Sequence, residues 1–240
     1  MDETFTALLV AHLVTDFPLQ PDWMIRQKRK PAILGLHAAI VAGTAVLALG
    51  AWPLSLLAIL VVTHLTMDAI KVYLLKDSLA SFALDQIVHL IVIAGLASIF
   101  PQIVADGWWS GLEPSWLNAY FMGLCFVGGL ILSLHVGAII IRKATAPFTD
   151  QIEPKTKGLQ NGGFYIGCLE RALVMLLMLI NQPTGVGFLI TAKSVLRFGD
   201  ISDSHQRKLT EYIIIGTFMS FGWGLLIAVL TQLAIKHWQN

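Results

Sequence analysis

The chain has 240 residues, 56% hydrophobic and only 13% charged, with a formal net charge of +1. Soluble domains carry about a quarter charged residues, so this composition, with a mean hydropathy of +0.72, excludes an ordinary soluble domain and indicates a membrane protein. The near-neutral charge excludes a basic nucleic-acid-binding face, and two cysteines inside apolar runs, Cys125 and Cys168, exclude a disulfide framework or a thiolate metal site.

A membrane crossing needs roughly 20 apolar residues. The opening MDETFTALLV has acidic residues and no Lys or Arg ahead of its apolar run, unlike the start of a cleaved signal peptide. The segment from Thr4 to Phe17 is therefore expected to persist as a short first span. Further spans are expected from Ala32 to Gly50, Leu54 to Leu75, Phe82 to Ile103 and Trp116 to Ile141. Two shorter segments follow, Gly163 to Ile180 and Gly185 to Leu196, broken at Asn181-Gln182-Pro183-Thr184-Gly185. A last span runs from Glu211 to Ile235.

Alternate loops are basic: Arg26, Lys28, Arg29 and Lys30; Lys71 and Lys76; Arg142, Lys143, Lys155 and Lys157; Arg197, Arg207 and Lys208. The intervening loops carry no Lys or Arg. Basic loops face the cytoplasm. The expected fold is an all-α, polytopic transmembrane bundle of about eight spans (six to eight), with both termini outside. Trp108, Trp109 and Trp116 are expected at the outer interface, where such rings sit well. The chain divides loosely near residue 110, into a half at 1–105 with an ionisable cluster and a half at 116–240 that is mostly plain apolar helix. These halves are expected to form one integrated domain.

Ionisable residues inside a span are costly and mark function by default. Here they share a spacing. His12 and Asp16, His64 and Asp68, and Asp85 and His89 are each four apart, which puts each pair on one helix face. Chance would produce about 0.6 such pairs. Spans one and three read His then Asp; span four, running the other way, reads Asp then His. The reversal keeps depths aligned, so a carboxylate layer is expected nearer the cytoplasm and an imidazole layer roughly 6 Å deeper. His37, near the start of span two, reaches the same zone.

A mixed His/Asp set suits Zn²⁺ first, with Mn²⁺ or Fe²⁺ also matching these donors. The candidate ligands are His12, Asp16, His37, His64, Asp68, Asp85 and His89. The carboxylates Asp16, Asp68 and Asp85 are also the candidates for general base. Alternatively, the histidines ligate and the aspartates orient them. Gln20 and Gln86 are placed to hold a water or substrate oxygen, and Lys28, Arg29 and Lys71 to hold a phosphate. The bland alternatives are an intrahelical hydrogen bond for each pair and a local Asp68–Lys71 ion pair. Glu170 and Arg171 are adjacent, so they point apart and are expected to pair across helices. Lys193 reads as a snorkelling side chain. Gly123, Gly128, Gly129 and Gly137 read as helix-packing contacts.

The run His12-Leu13-Val14-Thr15-Asp16-Phe17-Pro18-Leu19-Gln20, with Lys28, His37, His64-x-x-x-Asp68 and Asp85-Gln86-x-x-His89, resembles a bacterial membrane family called domain of unknown function 3307. The resemblance covers about the first 100 residues. It implies a bacterial cytoplasmic membrane and no particular activity. Gly187-Phe188 and Ala192-Lys193-Ser194 resemble the C-terminal region of longer members. A weaker likeness is to membrane-bound metal-dependent hydrolases, whose motif spacings do not match this chain residue by residue.

The leading functional expectation is a metal-dependent membrane hydrolase with a cytoplasm-facing site, acting on a phosphorylated or ester-linked substrate such as a lipid head group. A metal-ion or proton transporter is the alternative, since intramembrane His and Asp form ion paths, and the break around Pro183 is of a kind seen in transporters. A scaffold or pH sensor with a structural polar cluster is the third. The lipid bilayer is the expected partner, nucleic acid is not, and self-association is compatible with the chain.

Overall fold

The computed structural model describes residues 1–149, 151, 161–197 and 207–239. The regular structure in them is helical. Lys155 and Lys157 lie outside the described residues. The helices are α1 (Asp2–Asp16), α2 (Asp22–Gln27), α3 (Pro31–Leu49), α4 (Leu54–Leu74), α5 (Leu79–Ile99), α6 (Pro114–Ile131), α7 (Gly137–Thr149), α8 (Gly162–Leu179), α9 (Pro183–Arg197) and α10 (Arg207–His237). A π-helical segment, Leu132–Val136, joins α6 to α7. Six of the resulting helices are long and apolar enough to cross a membrane. At 15 residues each, α1 and α9 are about 22 Å long, short of the roughly 30 Å hydrocarbon core.

Local signals explain the boundaries. Ser78 caps α5 by accepting a hydrogen bond from the Ser81 amide at 3.1 Å, which starts that helix three residues before the first expected apolar position. Pro101 disfavours helix at Phe100 and ends it earlier than expected. Pro31 stands in the first turn of α3, and Gly50 closes it at φ 65°, a conformation that glycine adopts without strain. The expected break near Pro183 is present, with Asn181 left-handed at φ 57°. The fifth span is longer than expected, because the π segment lets the helix continue to Thr149.

The chain forms two compact units, one of residues Met1–Ile131 with the chain end from Ala234, the other Leu132–Leu233. In the first, α1 is buried on most of its circumference and packs against α3, α5 and α6, while α4 packs on α3 and α5. A helix enclosed by protein need not match the bilayer thickness itself, which accounts for its shortness. Gly128 lets α6 approach α1: a Cβ there would lie 3.2 Å from Val10 Cγ2. Gly123 has nothing within 4 Å of a built Cβ, so it is not the packing contact the sequence suggested. The core holds Leu8, Leu49, Leu56, Ile93 and Phe121. Large apolar side chains such as Leu47, Leu54, Ile91 and Ile99 are exposed, which suits a lipid-facing surface.

The end of α3 is sealed by polar contacts from the 101–120 segment. The Trp108 amide donates to Gly50 O at 2.7 Å, Trp109 Nε1 to Leu47 O at 3.0 Å and Tyr120 Oη to Ala48 O at 2.7 Å. These satisfy carbonyls that a helix terminus leaves open. Trp109 thus turns inward as a cap, whereas Trp108 and Trp116 stay exposed. At the same end the amino group of Met1 donates to Pro101 O, and His237 faces Asp2 at 3.3 Å.

In the second unit the π segment packs on α7 and α8, and α8 on α9, around Val174, Val186 and Phe221. Arg171 is buried. It donates to Ser133 O at 2.6 Å, Ser220 Oγ at 2.9 Å and Leu134 O at 3.1 Å. Glu170 meets Lys193 at 2.6 Å. The two neighbours do point apart and bond across helices. Lys193 is anchored by that pair rather than free to snorkel.

Candidate functional site

Antiparallel order brings the C-terminal halves of α1 and α4 beside the N-terminal halves of α3 and α5, and the His/Asp pairs meet there. His64 and His89 stand ten residues from either end of their 21-residue helices, at mid-helix and deeper than a site at the bundle's end. His12, His37, His64, Asp68, Asp85 and His89 are all buried, and the Asp16 side chain is 7% exposed.

Four donor atoms converge. His37 Nε2 and His64 Nε2 are 3.1 Å apart. Asp16 Oδ1 is 3.3 Å from each. Asp68 Oδ2 is 3.4 Å from His37 Nε2 and 3.6 Å from His64 Nε2. Both carboxylate oxygens are buried and lack a hydrogen-bond partner. Ligand atoms of a tetrahedral cation with bonds of about 2.0–2.1 Å lie about 3.3–3.4 Å apart, close to the separations of each carboxylate oxygen from the two imidazole nitrogens. His37, His64 and Asp68 form one candidate metal group, while His12, Asp16 and His64 form another. Their donor types suit Zn²⁺, Mn²⁺ or Fe²⁺.

The remaining pairs flank this group. His12 Nε2 faces Gln86 Oε1 at 3.3 Å, and Gln86 Nε2 donates to Asp85 Oδ2 at 3.1 Å, which sets the orientation of that amide. His89 Nδ1 donates to the Asp85 backbone carbonyl at 2.7 Å. The opposite nitrogens, His12 Nδ1 and His89 Nε2, are buried without a hydrogen-bond partner. The His12 and His89 rings stack at 4.8 Å, and His64 lies 4.3 Å from His89. A cavity of about 10 Å³ is lined in part by His12, His64 and His89, room for about one water.

The expected carboxylate layer above an imidazole layer is not what forms: Asp16 and Asp68 meet His37 and His64 directly, and Asp85 stands apart from them. Helical Cβ bonds tilt toward the helix N-terminus. On α1 and α4 this tilts Asp16 and Asp68 back into the bundle. On α5, which runs the opposite way, it tilts Asp85 toward the helix start. There Asp85 Oδ2 accepts from Lys71 Nζ at 2.5 Å, while Asp85 Oδ1 lies 3.6 Å from His89 Nδ1. The local Asp68–Lys71 pair is thus replaced by Lys71–Asp85.

Lys28 is buried and donates to Asp68 Oδ1 at 2.7 Å. It arrives through a turn after α1 and the short helix α2, whose Met24 is buried while Trp23 and Ile25 are exposed. Lys28 and Lys71, the candidates for a phosphate, are each paired with a carboxylate in the structure. Arg29 is exposed. Gln20 Nε2 lies 3.0 Å from His37 Nε2, beside the candidate metal groups. Sequence reasoning missed the Lys28–Asp68 pair. It also missed the Thr15–Thr44 hydroxyl contact at 2.6 Å, which ties α1 to α3 beside the site; neither has a short-range spacing to reveal it.

Residues 4–113 match the DUF3307 family, a protein family of unknown function. This is the family that the opening motif resembles. All of the His/Asp cluster lies inside the DUF3307 region, together with both lysines that pair with it. No curated protein and no solved structure matches the chain.

Proposed function

We propose that this chain is a metal-dependent hydrolase of the bacterial cytoplasmic membrane, with its His/Asp site open to the cytoplasm. Its substrate is a phosphorylated or ester-linked molecule, lipid head groups included. The observation that carries this reading is the convergence of buried donors into three-ligand groups, His37 with His64 and Asp68, and His12 with Asp16 and His64. Zn²⁺ is the preferred ion. Such an ion lowers the pKa of a water to about 7 and so supplies a nucleophile at neutral pH. Gln86 and the Asp85 carbonyl orient the adjoining His12 and His89 rings, and a carboxylate accepts the water's proton.

Charge supports a cation. Asp16 and Asp68 each face His37 and His64 with an oxygen that has no hydrogen-bond donor, an acceptor set that a cation would offset. A conduit fits less well. Among the described residues, the core beyond His64 and His89 is apolar at Leu8, Leu49, Leu56, Ile93 and Phe121, and the buried Thr4 hydroxyl there is engaged with backbone carbonyls.

The test is elemental analysis of the detergent-purified chain beside His64→Ala, followed by turnover of phosphoesters and carboxylic esters and by cation flux in liposomes. The reading expects bound metal in the wild type, its loss in the variant, and turnover without flux. Metal-free wild-type protein, or flux without turnover, overturns it.

A further inference from the structure

We propose that the segment between α1 and α3 is a docking surface for the head groups of anionic membrane lipids. Arg26, Arg29 and Lys30 hold the lipid phosphates, and Trp23 and Ile25 rest at the boundary between head groups and acyl chains. The surface is independent of the metal site.

Depth is the first support. At 21 residues, α4 is about 31 Å long, enough to reach from one face of the hydrocarbon core to the other. The Tyr73 hydroxyl, one residue from the end of α4, donates to Arg29 O at 2.7 Å, which sets Arg29 at the level of the membrane boundary. Lys28 reaches back to Asp68, deeper along α4. By contrast α1 ends at Asp16, whose Oδ1 lies 3.3 Å from the mid-helix His64. The chain therefore covers the remaining depth through residues 17–21 and α2, which brings α2 to the head-group level.

The second support is the pattern of faces on α2. Met24 and Lys28, four apart, are 2% and 6% exposed and form its inward stripe. Lys28 continues the helical turn at φ −59° and ψ −17°. At about 100° per residue, Arg26 and Arg29 stand opposite that stripe, with Trp23 and Ile25 on its two flanks. Trp23 and Ile25 are 46% and 53% exposed, and Arg26, Arg29 and Lys30 are exposed. Lys30 donates to the neutral Gln27 amide at 3.0 Å, and Asp22 is the one acid in residues 17–31. Basic side chains beside an open Trp and Ile suit a helix lying in an anionic interface. The half-exposed Tyr73 ring beside them also suits the head-group level. A second copy apposing the same face would set these basic residues against one another.

The experiment titrates the detergent-purified full chain with phosphatidylglycerol or phosphatidylcholine, read by native mass spectrometry. Phosphatidylglycerol is expected to bind more tightly. Arg26→Gln, Arg29→Gln and Lys30→Gln are each expected to weaken its binding about fivefold, the share of one basic residue near an anionic surface. In vesicles of brominated phosphatidylglycerol, the emission of Trp23, taken as the difference between the wild type and Trp23→Phe, is expected to be quenched. Equal binding of the two lipids overturns the surface, as does a preference that survives all three substitutions together. Unquenched Trp23 emission, the result of a protein or a second copy covering the ring, overturns it as well. The wild-type lipid preference and the Trp23 emission decide the matter even where the triple variant does not fold.

Discussion

Lys28→Met tests the metal reading through stability alone. In the protein, Lys28 Nζ sits 2.7 Å from Asp68 Oδ1, with side-chain exposures of 8% and 1%. Removing one member of a buried ion pair leaves an uncompensated charge and costs about 3–5 kcal/mol. For a chain of this length each kcal/mol moves the unfolding midpoint by about 2–4 °C, so the metal-free variant should lose roughly 6–12 °C at the lower figure. Asp68 Oδ2 belongs to the proposed cation group, so a bound ion supplies a second countercharge to the same carboxylate. With saturating Zn²⁺ the loss should be smaller than without metal, because the carboxylate keeps a countercharge. The assay is thermal unfolding in detergent, followed by circular dichroism, with chelator and with Zn²⁺. Lys28→Met/Asp68→Asn, which removes both charges, should recover much of the metal-free stability. An equal drop with and without Zn²⁺ refutes the proposed contact between Asp68 and the ion. No drop in either condition refutes the importance of the pair itself.

Gln86→Leu removes the acceptor that orients the His12 ring and should weaken metal binding about 10–100-fold, read by competition with a chromophoric chelator. Arg171→Met removes the donors to Ser133 O, Leu134 O and Ser220 Oγ. At about 1–3 kcal/mol for an unsatisfied buried group, it should lower stability more than Arg171→Lys, in the same unfolding assay; equal losses count against the clamp. Gly128→Val should cost about 1–3 kcal/mol through overpacking against Val10, whereas Gly123→Ala, with open space around its Cβ, should be neutral or slightly stabilising.

Much of the candidate site was legible because i,i+4 spacing is a property of one helix. His12/Asp16, His64/Asp68 and Asp85/His89 identify themselves, and their reversed order on an antiparallel helix fixes comparable depth before any packing is known. The helices were legible for a related reason: apolar length is set by the bilayer, and Pro101, Pro183 and Ser78 act on their own neighbours. The π segment at Leu132–Val136, whose carbonyls accept from Arg171, and the inward cap that Trp109 donates to Leu47 O were not legible, because each depends on a partner distant in the chain.

By itself, then, the sequence determined a helical membrane protein with its ionisable residues gathered on a few helix faces, since composition, hydropathy and helical period are local quantities. The tertiary structure decided which side chains meet. It separated Asp85 from Asp16 and Asp68, because side chains tilt toward the N-terminus of whichever helix carries them and α5 runs opposite to α1 and α4. It also assigned Lys28 to Asp68 across 40 residues of chain, a pairing set by three-dimensional proximity and the cost of leaving a buried carboxylate alone.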